Sequence, residues 1–356
     1  MPDRLTRLLA ERPWLLADGA TGTNYFALGL ETGDAPELWN LQYPERVGGL
    51  HRAFIEAGSD LILTNSFGGT RHRLKLHEAQ DRVAEINRAA ARLAREAADG
   101  ADREVVVAGS MGPTGEILAP IGPLSGEDAA DAFAEQAAAL AEGGADLLWI
   151  ETMSSVEELS AAVEGGARTG LPLATTLSFD TNGRTMMGVT PAQVVQLVHG
   201  LTPRPAAYGG NCGTGPAELM AAIVNLRAAG APEDVLIAKS NCGIPEYVEG
   251  EIIYSGTPEL MADYARLALD AGVRIIGGCC GTTPQHIAVM RAALESHTPG
   301  EPPTLEQIVA RLGPITSGAV QQGILGARPD AEPTDREKRR ARRRRGKTGG
   351  GEPPRF

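Results

Sequence analysis

The chain has 356 residues, a formal net charge of −12 and only 4% aromatic residues. The acidic balance argues against a generic nucleic-acid or membrane surface, and no apolar run approaches the roughly 20 residues a bilayer span needs. A core so short of aromatics must be built from Val, Ile, Leu and Ala, which suits a parallel sheet wrapped in helices, and the length suits one α/β barrel plus a tail as well as two small domains.

The N-terminal stretch MPDRLTRLLAERPW lacks the apolar segment and cleavage pattern of a secretory signal, so a cytoplasmic location is expected. Short β-branched or apolar runs then predict strands at residues 15–17, 61–64, 105–108, 147–150, 173–177, 206–208, 235–238 and 274–276. Between them lie Ala-, Glu- and Arg-rich stretches of helical spacing. Their starts carry caps or prolines at Pro44-Glu45, Ser125-Gly-Glu-Asp128, Ser154-Ser-Val-Glu157, Thr190-Pro191, Thr257-Pro258 and Thr283-Pro284. Gly58, Gly144, Gly230 and Gly272 fall where left-handed helix C-caps are expected. Eight strand–helix–glycine units predict a closed (β/α)8 TIM barrel over residues 1–312, since right-handed crossovers lay each parallel strand beside the last. An open doubly wound sheet is the alternative, but no Gly-x-Gly-x-x-Gly follows the first strand.

Residues 313–356 read as a disordered basic tail, poor in large apolar side chains and rich in Pro, Gly and Arg. From 336 to 347 there are nine Arg or Lys residues and one acid, so this stretch carries +8 and the remainder −20. Such a run is a solvated tail, or a tether for an acidic partner protein or for nonspecific RNA contact.

Barrel chemistry collects at the C-terminal ends of the strands. The first four of those ends are Asp18-Gly-Ala-Thr-Gly-Thr23, Thr64-Asn65-Ser66-Phe67, Gly109-Ser110-Met111 and Glu151-Thr152-Met153. Strands six, seven and eight end in Asn211-Cys212-Gly213, Asn241-Cys242-Gly243 and Gly277-Gly278-Cys279-Cys280-Gly281. All four cysteines thus sit at strand ends, too few for a disulfide scaffold in a reducing compartment. Cys212 and the Cys279-Cys280 pair can converge above the mouth, and three thiolates leave one tetrahedral zinc position for an exchangeable ligand. Cys242 is left out, because a fourth cysteine would close the site. The amide oxygen of Asn241 could fill the vacancy weakly until substrate arrives.

These strand ends resemble the homocysteine S-methyltransferase family over residues of roughly 10 to 297, most specifically in Gly277-Gly-Cys-Cys-Gly-Thr-Thr-Pro284 and in Asn211-Cys212-Gly-x-Gly-Pro216. The resemblance implies Zn2+ held by Cys212, Cys279 and Cys280, and an enzyme that methylates the homocysteine sulfur to make methionine. A free thiol with a pKa of about 8.5 is a weak nucleophile at neutral pH, and zinc coordination would deprotonate it. Asp18 and Glu151 are candidates for the substrate ammonium. The backbone of Gly19 and the loop around Asn65 and Ser66 are candidates for its carboxylate.

The methyl donor is expected to be a small molecule such as betaine, or a methylated corrinoid delivered by a partner protein. A betaine site would need aromatics, for which Tyr25, Phe26, Phe67, Tyr208 and Tyr247 are available. No cobalamin or folate domain follows the barrel, so the alternative reading is the homocysteine-binding subunit of a split cobalamin-dependent methionine synthase, without turnover of its own. A zinc hydrolase is disfavoured, because three thiolates blunt the Lewis acidity needed to ionise water and no His or Glu adjoins the cysteines in sequence.

Overall fold

A computed structural model of the protein describes residues 3–180, 182–248 and 251–315. Eight parallel strands form the barrel: β1 (Leu15–Leu16), β2 (Leu61–Leu63), β3 (Val106–Met111), β4 (Leu147–Met153), β5 (Leu173–Leu177), β6 (Ala207–Cys212), β7 (Leu236–Ser240) and β10 (Val273–Gly278). They are hydrogen-bonded in the order β1-β10-β7-β6-β5-β4-β3-β2, and a parallel bridge from Ala17 to Leu61 closes the ring. The eight predicted runs each supply one strand. Several strands run further than the β-branched residues do, through Gly-Ser-Met in β3 and Gly-Asn-Cys in β6.

All six helix starts read from the sequence are helix starts in the structure. Ser125, Ser155, Thr190 and Thr257 cap the following turn with a side-chain oxygen, and the helices Pro191–Gly200, Pro258–Asp270 and Pro284–Glu295 begin on proline. Gly58, Gly144 and Gly272 adopt positive φ as expected of C-caps. Gly230 does not: its φ is −88°, and a Cβ there would come within 2.7 Å of the Tyr208 hydroxyl, so close approach rather than handedness calls for glycine. The hairpin of β8 (Pro245–Val248) and β9 (Glu251–Tyr254), inserted after β7, was not predicted.

Side chains alternate across each strand. One face of every strand packs outward on the helices. The other fills the lumen, where Leu15, Leu61, Val106, Leu147, Ile237 and Ile275 form a separate apolar cluster. The helix Arg4–Glu11 seals its lower end with Leu5 and Leu8, each 1% exposed. Trp149, fully buried, occupies the upper part of that cluster. Continuing the alternation upward, the next inward positions are Ser110, Glu151, Asn211, Lys239 and the residue after β10, Cys279. An apolar lumen thus gives way to a polar layer at the C-terminal end.

The predicted tail lies, from residue 316 on, outside the described residues. The helix Leu305–Leu312 closes the described chain, packed on the helices Pro216–Ala229 and Pro258–Asp270. Among the described residues no helix is long and apolar enough to cross a membrane.

Candidate active site

Cys212, Cys279 and Cys280 meet at the mouth, their Sγ atoms all within 4.8 Å of one another and that of Cys212 3.9 Å from that of Cys280. A tetrahedral zinc with Zn–S bonds of 2.3 Å has S···S edges of about 3.8 Å, whereas a disulfide would need about 2.05 Å. The three sulfurs are therefore spaced as metal ligands, and all the cysteines are free thiols.

Hydrogen bonds from Cys212 and Cys279 push the Cys280 thiol down to about 3. Cys212 moves far upward, through its hydrogen bonds to Cys279 and Cys280 and through burial. For Cys279 the bond from Cys212 acts downward, but the bond to Cys280 and burial carry it up to about 12. A cluster that shares its protons in this way is a soft, partly desolvated donor set suited to zinc.

Backbone conformation aims these sulfurs. Cys212 has φ 60°, a left-handed corner that a non-glycine residue adopts only under constraint. The constraint is Asn211: its Oδ1 accepts from the Thr152 N–H at 2.9 Å, and its Nδ2 donates to Thr152 Oγ1 at 2.7 Å and toward Cys279 Sγ at 3.8 Å. Thr152 is itself left-handed, with φ 63°. One carboxamide thus ties together the corner after Glu151, the corner at Cys212 and a sulfur of the last strand.

Asn241 does the same on the other side. Its Oδ1 accepts from the Cys280 N–H at 3.1 Å and its Nδ2 donates to the Gly213 carbonyl at 2.6 Å, so its amide bridges the two cysteine loops. Cys242 is completely buried away from the cluster, its thiol pushed up to about 11 by burial and its N–H donating to the Cys280 carbonyl. Tyr254 of β9 has its hydroxyl pushed up by burial and the nearby Cys280. Its ring lies over Gly281, where a Cβ would come within 2.4 Å, so the Gly after the cysteine pair admits the hairpin to the site.

Below the sulfurs, Glu151 is 8% exposed and receives a hydrogen bond from Ser110 Oγ; burial pushes its carboxyl up to about 7, with Lys239 pulling against it. Both Asp18 oxygens are engaged, Oδ1 2.6 Å from Lys239 Nζ and Oδ2 accepting from the Leu63 N–H at 2.8 Å. Asn65 turns its amide to the Pro36 carbonyl and Asn40, and Ser66 donates to the Ser110 carbonyl at 2.7 Å. Gly19 packs so tightly that a Cβ would come within 2.5 Å of the Thr282 carbonyl oxygen.

Of the proposed aromatics, Phe26 and Phe67 are exposed and Tyr25 is buried against Trp39, with ring centroids 5.3 Å apart. Tyr208 faces the outer helices and donates to Asp234, away from the mouth. The Tyr247 side chain lies outside the described residues. Sequence reasoning missed Lys239 and Tyr254 and gave Ser110 and Asn211 no role. Lys239 had a signal: it stands two residues beyond Ile237 in Leu-Ile-Ala-Lys-Ser, on the inward face of a strand otherwise apolar.

Fold and site together define a thiolate-centred barrel enzyme. Comparison with known proteins makes this specific, because the homocysteine S-methyltransferase family matches residues 15–294, and the chain belongs to that family. It is 32% identical over 297 residues to methionine synthase of Mycobacterium tuberculosis, covering 79% of this chain and 24% of that protein. Against methionine synthase of Mycobacterium leprae it is 31% identical over 322 residues, covering 86% and 26%. The chain therefore spans about a quarter of the length of these relatives. The metallated form of the homocysteine methyltransferase MmuM from Escherichia coli superposes with a TM-score of 0.67 at 28% identity, covering 81% of this chain and 99% of that one.

Proposed function

We propose that the protein is a zinc-dependent homocysteine S-methyltransferase in which Cys212, Cys279 and Cys280 hold the metal and Glu151 anchors the substrate ammonium. The observation that carries the reading is the set of three sulfurs within 4.8 Å of one another at the mouth of the barrel. Zinc bound there would hold a substrate sulfur as thiolate at neutral pH, while three protein thiolates keep that sulfur electron-rich.

The chain's own residues do the rest. Asn211 and Asn241 fix the cysteine loops, so the sulfurs need little rearrangement on loading. Glu151 faces the layer below them, where an α-amino group linked to the sulfur by a short carbon chain can reach it. Asp18 is paired with Lys239, and the Gly19 and Asn65–Ser66 backbone would receive the carboxylate. Alignment of sulfur and methyl donor, rather than a general base, is what an in-line methyl transfer requires. A cytoplasmic home would keep the thiols reduced.

The donor is betaine or a methylated corrinoid. The similarity to one quarter of two methionine synthases favours, as a second reading, a homocysteine-binding subunit that works with a corrinoid protein. The test is metal content together with methionine formation from betaine, S-methylmethionine and methylcobalamin, for the wild type and C280A. About one zinc per chain, lost with activity in C280A, supports the thiolate mechanism. Zinc binding with no turnover under any donor supports the subunit reading, and a wild type that binds no zinc sinks both.

A further inference from the structure

Lys239 is the only Lys or Arg among the described residues that is fully buried, at 2% exposure. Burial alone would strip its proton, so its neighbours must hold the charge. Its Nζ lies 2.6 Å from Asp18 Oδ1 and 5.7 Å from the centroid of the Trp149 ring, whose π face favours a cation. Asp18 spends its second oxygen on the Leu63 N–H. Glu151, the other buried carboxyl of this layer, has Ser110 Oγ as its hydrogen-bond partner; the Lys239 charge acts on it too, but the direct ion pair of Lys239 is with Asp18.

Resting on the homocysteine reading above, we propose that Lys239 is a positioning residue that neutralises Asp18 and so leaves Glu151 as the single free carboxylate for the substrate ammonium. The substrate head carries one ammonium and one carboxylate, and its sulfur binds as an anion. A pocket with one free carboxylate matches that head. Two free carboxylates beside the thiolates would hold the ammonium but repel the substrate's own carboxylate and sulfur, in surroundings where unscreened charges act strongly. The lysine thereby sets the charge complement of the amino-acid subsite without touching the amino acid.

The experiment compares K239M, D18N and D18N/K239M with the wild type for zinc stoichiometry, kcat and KM for homocysteine. K239M strands the Asp18 charge and is expected to raise KM about tenfold or more, with zinc retained and kcat within about threefold. D18N strands the lysine and is expected to raise KM as well. In D18N/K239M both charges are gone, and KM should fall from the K239M value by about as much as it had risen.

A double variant no better than K239M would overturn the inference, because the lysine would then act on the substrate itself. If K239M fails to fold or to hold zinc, the double variant decides: recovery of fold, metal and low KM supports charge pairing, and continued failure makes the pair merely structural. A wild type that neither binds homocysteine nor turns it over with any donor would instead sink the homocysteine reading, before any variant is compared.

Discussion

The two ends of this barrel solve opposite problems with the same residue types. At the floor, buried and half-buried acids are fully paired. Asp60, immediately before β2, receives Arg12 at 2.7 Å, Arg103 at 3.1 Å, Arg291 at 3.0 Å and the Leu16 N–H. Asp146 before β4 is held by Arg4, Arg95 and the Val107 N–H, and Asp234 ahead of β7 by His199, Arg204 and Tyr208. These acids stitch loops of distant sequence onto the strand starts. At the mouth, Glu151 is raised to about 7 and two non-glycine residues are left-handed. The floor uses its polar groups on one another, whereas the mouth keeps a strained, partly unpaired set of the kind found at functional sites.

That contrast can be broken from either end. C280A should lower methyl transfer by at least about 10³-fold, or about 4 kcal/mol, through loss of the metal. Its thermal midpoint should stay close to that of metal-free wild type, as calorimetry would show. D60A makes the opposite cut: it leaves three guanidiniums facing an empty site and should cost about 3–5 kcal/mol of stability in urea titration. The D60A protein that remains folded should keep zinc and a near-normal kcat, and a collapse of kcat in that fraction would contradict the division of labour.

E151Q should raise KM for homocysteine about 10- to 100-fold with zinc content unchanged. Because the Glu151 carboxyl lies near 7, the free protein holds a proton there in acid that the ammonium must displace. Wild-type affinity should therefore weaken as the pH falls below about 7, and E151Q should flatten that dependence. The smallest effect expected is for N211D, which keeps the acceptor but loses the N–H toward Cys279. Zinc affinity should drop about tenfold in chelator competition, as for a supporting partner of a metal ligand.

Much of this was legible in the sequence. Eight β-branched runs, six helix starts and three of four glycine C-caps were readable because each follows from local chemistry. The three zinc-ligand candidates were legible because their strand-end setting predicts convergence once the barrel is assumed. What stayed hidden depends on partners far along the chain. Asn211 gains its role only through Thr152, 59 residues earlier, and Asp18 meets its lysine 221 residues later. Gly230 was misread as left-handed because its demand comes from Tyr208 and Asp234 rather than from its own helix. The hairpin escaped because its isoleucines lie in a short run between two barrel elements.

The seam of the barrel has a consequence for how the chain is made. β1 contributes only two residues, paired with β10 and bridged to β2, while Arg274 reaches back to the carbonyls of Leu9, Arg12 and Pro13. The first strand therefore finds its second neighbour only after some 260 further residues have left the ribosome. Until then β7 keeps a free edge and the lumen is open along its length, a state prone to pairing with other nascent chains. Synthesis order thus makes the last strand both the lock of the fold and the carrier of two of the three clustered sulfurs, so a truncated product can neither close nor assemble that cluster.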